Sequence, residues 1–476
     1  MKHSNNGVWD NLYPITFEDN VLDSEGVTAG EKFKSFNNSL LALNEDISHL
    51  FKTEQEQPIN VKNPPKEYQH LALKGDNTTD DSDNLQALIN IGRPLYFPTG
   101  TYRLEKTITL KKINFIGDSA YTVTFNFVNP GHGFVIEPGT FTSRSSVYIG
   151  RFSIMGSANG LGDYYAFYMK GLSERPIVYN FGANFDSIEI ENFGGGFYVE
   201  DFFRLNVTRI GMSHVGNPIR INGSVVQSTF DTITNNGDFA PRGAIPHTGI
   251  MTRYKTYDDG VIMVPESVKF MNFSTTEVDY GIDHQAGLFI TFQNVDLDFI
   301  HDTGILFGAE ALVDNFYIAT SNSGSKVTGV KFDVMDLTRP YVKTLKNGII
   351  RSYTSLHKDS VAIAYGDEGQ SPYREEWGGV IERVRIEGGP WKYGIMADRH
   401  KSIVIRDCYI HEGACTNTEI VLSNAKLSIV EGNLLPGGEI NVSSPFTNSA
   451  GKIKYNHATV TTSDMASTNW EIENNY

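Results

Sequence analysis

The chain has 476 residues, a formal net charge of −16 at pH 7, 45 glycines and 12 % aromatic residues. That length can bury a large core and hold two or three structural regions. The charge argues against nucleic acid and against insertion into, or adhesion to, an anionic membrane. Cys408 and Cys415 are the only cysteines, which leaves no disulfide framework and no thiolate metal centre. No apolar run approaches membrane length. Residues 1–30 carry turn signals and an aromatic pair, Trp9 and Tyr13. From Glu31 to Glu54 the pattern changes, and Phe33, Phe36, Leu40, Leu43, Ile47 and Leu50 recur at spacings of 3, 4, 3, 4 and 3. Such a seam is read either as one amphipathic helix packed on its own domain or as a short coiled coil of about two and a half heptads. Gln55 to Glu67 is proline-rich and reads as a linker.

The segment Gly75 to Asp118 is the most informative in the chain. A polar, Asp-rich turn leads into a predicted helix with Leu85, Leu88 and Ile89 on one face. A short β-run at Tyr96 and Phe97 is broken by Pro98-Thr99-Gly100. Predicted strands follow at Thr101 to Leu104, Thr107 to Leu110 and Ile113 to Ile116. This order suits a helix covering the open end of a solenoid whose first turn starts behind it. Gly75-Asp76, Asp80-Asp81-Ser82, Leu85-Gln86, Tyr96-Phe97-Pro98, Gly100-Thr101-Tyr102 and Gly117 resemble the opening motif of the pectate-lyase-like right-handed parallel β-helix family. That family includes phage tailspikes and polysaccharide-degrading enzymes. The resemblance implies an all-β right-handed parallel β-helix behind a short N-terminal helical region. Its phage members are typically trimers with an N-terminal virion anchor.

From about residue 120 a small residue, usually Gly, precedes a large apolar one. Gly133-Phe134, Gly196-Phe197, Gly249-Ile250, Gly281-Ile282, Gly304-Ile305, Gly329-Val330, Gly348-Ile349 and Gly394-Ile395 form this series. Steps of 23, 25, 19 and 46 follow Gly281, the last read as two rungs. Asn235 to Glu266 and Ala364 to Gly379 interrupt the spacing and read as loops leaving the coil, where sites usually sit. The expected regions are an attachment region at 1–60, a cap at 68–119, the β-helix at 120–447 and a polar C-terminal cap or tail at 448–476.

No GxSxG, HExxH, GxxxxGK[ST], CxxC or EF-hand pattern occurs, so nucleophilic-serine, zincin and nucleotide chemistry lack support. Paired carboxylates remain. Asp279 and Asp302 align at an offset of 23, and Asp296 and Asp298 alternate with Val295, Leu297 and Phe299. With the apolar set inward, Glu277, Asp279, Asp296, Asp298 and Asp302 form an outward patch. Close carboxylates raise one another's pKa, as a general acid requires. The plain reading is ordinary solvated surface, and a bound Ca²⁺ is a further use of such a cluster; no other metal or cofactor is expected. Glu375 and Glu376 are a second candidate pair, Asp258 and Asp259 a third. Trp377, Trp391 and Tyr393 are the candidate sugar platforms, although an aromatic buried in the rung is the more ordinary reading of such residues. His284 and His301 are the nearby histidines that would assist phosphodiester cleavage.

The expected protein is a homotrimeric phage tail spike or appendage, localised to the virion tail. Its N-terminus would meet tail or collar proteins. Its coil would bind and degrade a host capsule polysaccharide or wall teichoic acid. A non-catalytic receptor-binding protein and a secreted polysaccharide lyase are the alternatives, and the N-terminus MKHSNNGVWDNLYP, without an apolar leader, argues against the last. The 33-to-50 seam predicts a three-chain bundle. Mass photometry of the full chain should therefore give about three times 53.0 kDa; a monomer at micromolar concentration would refute it.

Overall fold

A computed structural model describes residues 57–142, 146–157, 162–237, 246–321, 325–333, 343–353, 356–365, 379–398, 402–423, 427–444, 449–465 and 469–476. The heptad segment lies outside the described residues, as do Glu375, Glu376 and Trp377. The body from Asn60 to Tyr476 is a parallel coil. Its strands join one continuous parallel sheet, each pairing with strands one rung before and one rung after it. Among the described residues only the hairpin of Lys255–Thr256 with Ile262–Met263 pairs antiparallel.

One column of the coil consists of long strands, among them Asn180–Glu191, Phe202–Ser213, Lys269–Thr276, Ile290–Ile300, Ala311–Thr320, Lys343–Ser352 and Gly379–Gly388. A second column has shorter ones, including Tyr165–Met169, Gly195–Glu200, Tyr280–His284, Thr303–Phe307 and Val361–Tyr365. Apolar residues stack inside rung upon rung. Phe230, Phe270 and Phe292 lie 5.2 and 5.0 Å apart between ring centroids. Phe307, Phe332 and Tyr365 continue the pattern at 5.1 and 5.0 Å. These spacings match the strand separation, so each ring meets its neighbour face to face.

The glycine series marks the start of the second column, with one exception. Gly281-Ile282, Gly304-Ile305 and Gly329-Val330 are in register there, and the next member is Ala362-Ile363. Gly348-Ile349 belongs to the long column, opposite Phe316 and Tyr317. The steps of 19 and 46 were therefore false; both real steps are a rung plus an insertion. A Cβ on Gly281 would meet the carbonyl oxygen of Gly304 at 2.6 Å, which is why the bend favours glycine.

The long strands bend at a column of left-handed residues. Arg209, Thr232, Asn272, Asn294, Asn315, Asn347 and Arg383 all have φ between 50° and 56°. Asparagine tolerates that region best among residues with a Cβ. Their amides form a ladder: Asn294 Nδ2 donates to Asn272 Oδ1 at 2.8 Å and Asn315 Nδ2 to Asn294 Oδ1 at 2.7 Å.

The N-terminal end is closed as expected. The helix Ser82–Ile91 buries Leu85, Leu88 and Ile89 and ends at Gly92 with φ 81°. Gln86 caps the exposed strand edge with both its amide atoms. It donates to the Thr109 carbonyl at 3.0 Å and accepts from the Thr109 N–H at 2.8 Å. The supposed linker belongs to this cap from Val61 onward, since Val61 is buried and donates its N–H to Tyr96 O at 3.1 Å. At the other end rungs continue through Ala450–Lys454, His457–Ser463 and Asn469–Glu473. A ladder of the buried Asn433 and Asn456 and the half-buried Asn475 runs beneath them.

Of the loop read at Asn235 to Glu266, Thr248–Arg253 is a strand of the second column, and among the described residues the hairpin leaves the coil. A buried charge cluster pins it. Lys255 Nζ lies 2.9 Å from Glu200 and 2.7 Å from Asp201, and Tyr257 donates to Asp201. Asp258 accepts from Ser173 at 3.0 Å and Asp259 pairs with Arg175 at 3.0 Å. The carboxylates in this loop thus hold it down. Lys255→Met would strand two buried carboxylates, a loss of about 3–5 kcal/mol. Denaturant unfolding should show it, with the exposed Lys106→Met as a control that melts like wild type; an equally small effect at Lys255 would mean the cluster does not anchor the hairpin.

Candidate functional site

The five carboxylates predicted as one patch fall in three places. Asp279 and Asp302 are indeed one rung apart. However, Asp279 Oδ2 accepts the His247 N–H at 2.9 Å, and Asp302 accepts from Tyr280 Oη at 3.2 Å and Thr303 Oγ1 at 2.8 Å. Both organise the turn into the second column. Glu277 stands at the corner with φ 56° and meets His301 Nε2 at 2.7 Å. Asp296 and Asp298 project from the outer face of Ile290–Ile300. Phe299, expected inside, points outward because the strand kinks there with φ 51°, and Ile300 takes the core position. Among the described residues no three His, Cys, Asp or Glu side chains converge as metal ligands.

Three further expectations change. Trp391 is completely buried, so it is a core residue and not a sugar platform. Tyr393 is half-buried and packs against Val361, Ala364 and Met396. His284 is also buried. It accepts from Thr252 Oγ1 at 2.7 Å and donates to the Glu310 carbonyl at 3.0 Å, and burial pushes it down to about 4. A neutral imidazole with both nitrogens engaged does no acid–base work.

Register on the long column decides which residues share the outer face. Thr234, Ser274, Asp296, Tyr317, Ile349 and Arg385 are successive partners along one outward row. Upstream, the same row holds Ser153, Glu189 and Gly211. Small residues thus make a low floor between two raised ends. At the downstream end a cavity of about 610 Å³ is lined by Asp296, Tyr317, Arg383 and Arg385. A second, of about 650 Å³, continues past it and is lined by Arg351, Tyr353, Glu387 and His411.

The walls of this groove are mutually bonded. The Tyr317 and Tyr353 hydroxyls are hydrogen-bonded, and Tyr317 is pushed up to about 12, first by burial and then by that bond. Arg351 lies 5.4 Å over the Tyr353 ring, and Arg385 lies 5.5 Å over Tyr409. Phe299 extends the aromatic wall, 6.0 Å from Tyr353. Asp296 has an exposed flank, but the groove walls partly dehydrate its carboxyl and hold its pKa above the usual value. Dehydration without a compensating donor favours the neutral acid. Tyr317, Tyr353, Arg351 and Arg385 were not singled out from sequence. The steps of 22 and 21 between Asn272, Asn294 and Asn315 are the signal that sets the register and would have grouped them.

Residues 69–152 match the family model described as rhamnogalacturonase A/epimerase, pectate lyase-like. No curated protein matches the chain. The A-module of mannuronan C-5 epimerase AlgE6 from Azotobacter vinelandii superposes with a TM-score of 0.48 at 14 % identity, over 88 % of this chain and 98 % of that one. The surface adhesin PfbA of Streptococcus pneumoniae superposes at 0.44 and 13 %, over 88 % and 97 %. A GH87 α-1,3-glucanase catalytic domain does so at 0.38 and 12 %, over 84 % and 67 %. Likenesses this distant carry no argument about activity. The cap and first rungs, residues 69–152, are thus similar to the pectate-lyase-like family, and the coil that continues from them is a parallel β-helix.

Proposed function

We propose that this protein is a phage tail spike or appendage whose outer groove binds and cuts a bacterial surface glycan, a capsule polysaccharide or a wall teichoic acid. The observation that carries the glycan reading is the groove itself. A floor of Gly211, Thr234 and Ser274 runs along the coil axis into a wall of Tyr317, Tyr353, Arg351 and Arg385. Flat aromatic faces suit the apolar faces of sugar rings, and bonded polar groups meet the hydroxyls. A rigid row of strands pre-organises all of them. The family match, whose description names polysaccharide-acting enzymes, supports the same substrate class. The virion role rests on the resemblance of the cap to tailspikes and on the heptad seam.

Asp296 and Asp298 are the cutting pair in this reading. Outward positions two apart on a strand lie about 6.7 Å from one another, within the 6.5–9.5 Å or so that leaves room for water in an inverting pair. Asp296 gives its proton to the glycosidic oxygen as the bond to the anomeric carbon breaks. Water adds to that carbon and yields its proton to Asp298.

Purified protein incubated with capsule and cell-wall fractions should release new reducing ends. Asp296→Asn should lower that release about 10²–10⁴-fold while binding persists, and Tyr317→Ala with Tyr353→Ala should weaken binding. Wild-type protein that binds the fractions without releasing ends or phosphate would establish the receptor-binding alternative. Absence of binding would refute the glycan reading.

A further inference from the structure

The upstream end of the groove holds a cavity of about 420 Å³ lined by Tyr121, Tyr148, Arg151, Asp186, Glu189 and Arg209. Glu189 and Asp296 occupy the same outward row four strands apart, a separation of about 19 Å. None of these residues lines the downstream cavities.

The charges here are unevenly partnered. Asp186 is saturated with donors: Tyr148 Oη at 2.9 Å, Thr208 Oγ1 at 3.0 Å, Arg209 Nε at 2.7 Å and the second Arg209 nitrogen. Despite its burial these bonds hold its carboxyl below the usual range, so Asp186 and Arg209 neutralise each other. The Glu189 carboxyl lies across Gly211, where even a methyl group would strike it. No hydrogen-bond donor among the described residues meets that carboxyl, and dehydration raises its pKa. Arg151 donates to the Asp118 carbonyl at 2.6 Å and makes no ion pair among the described residues. A concave site holding a guanidinium that no described carboxylate pairs offers an anchor for an anion, although the chain as a whole carries −16. At its mouth stands Tyr121, 89 % exposed.

We propose that this cavity is a subsite for one acidic saccharide unit of the glycan, its anionic group paired with Arg151 and its ring laid against Tyr121. The inference rests on the reading of the groove as a glycan site and narrows its substrate to an acidic chain. A sugar carboxylate and a sugar phosphate both suit a guanidinium, so the shared chemistry is the anion. A bound anion also disfavours ionised Glu189. Of the groups facing Glu189, Tyr148 is pushed up to about 12, first by burial, Asp186 is held down by its donors, and Arg209 is held up by its bonds to Asp186. Glu189 is therefore the lining carboxyl already raised by dehydration, a bound anion raises it further, and binding of the acidic unit takes up a proton there.

The test titrates the full chain with glucuronate, glycerol phosphate and, as the uncharged control, glucose, read by ligand-observed NMR. At least one acid should bind at least tenfold more tightly than glucose. Glucuronate alone would mark a uronate glycan, and glycerol phosphate alone a phosphodiester one. Arg151→Met and Tyr121→Ala, both at exposed positions, should each weaken that binding at least tenfold. Affinity should fall as pH rises through the Glu189 titration, and Glu189→Gln should bind with no such fall. Equal binding of glucose and the acids, or acid binding untouched in Arg151→Met, would overturn the proposal. If neither acid binds while the protein still captures wall fractions through Tyr317 and Tyr353, the subsite is wrong and the groove reading stands.

Discussion

Every rung of this coil satisfies its backbone through the rung before and the rung after. That single constraint shapes the molecule. A parallel sheet coiled on itself leaves unpaired edges only at its two ends, and each end needs a device. At the N-terminal end the helix Ser82–Ile91 covers the core, and Gln86 offers its amide to the backbone of Thr109. Within the coil the same constraint repeats every side chain at the rung spacing. Identical chemistry then stacks on itself: phenylalanines inside, asparagines at the bend, and a continuous row on the outer face. The groove is a consequence of register more than of any local motif.

Stacking makes charge expensive on a rigid face, and the structure shows how that is managed. Arg351, Arg385 and Arg209 are each held against a carboxylate, a phenol or an aromatic face. The buried Glu200 and Asp201 are balanced by Lys255. Asp296 and Glu189 are outer carboxyls without such donors among the described residues. Both lie in the same row, at opposite ends of a floor of small residues, and dehydration favours the neutral acid at both. A face on which nearly every charge is compensated marks out the few that are not, since these keep their capacity for a ligand.

The fold was legible before any coordinates. The cap was readable because Asp80 to Gln86, Tyr96 to Pro98 and Gly100 to Tyr102 combine turn, helix and strand signals at spacings only one architecture accommodates. The one-rung offset of Asp279 and Asp302 was also correct. Its meaning was not, because the sequence does not tell that His247 and Tyr280 donate to those carboxylates. Phe299 misled because strict alternation assumes an unkinked strand, whereas a left-handed residue turns the next side chain to the opposite face. Trp391 took the more ordinary of its two readings, a buried rung aromatic, and size and polarity alone do not distinguish that from a stacking platform. Gly348 entered the wrong series because a small–large pair occurs at more than one corner of the rung.

By itself, then, the sequence determined that this chain coils, where the coil opens and which residue types repeat along it. Those properties follow from local conformational preference and from a period that pairing imposes on each rung. Only the tertiary structure decided which residues share the outer row. Insertions between Gly329 and Ala362 and between Ala362 and Gly394 change the count along the chain without changing the rung, so distance in sequence stops measuring distance in space. Tyr317, Arg385, Asp296 and Glu189 become neighbours along one groove through strand register, and register is a property of the paired backbones, not of any one segment.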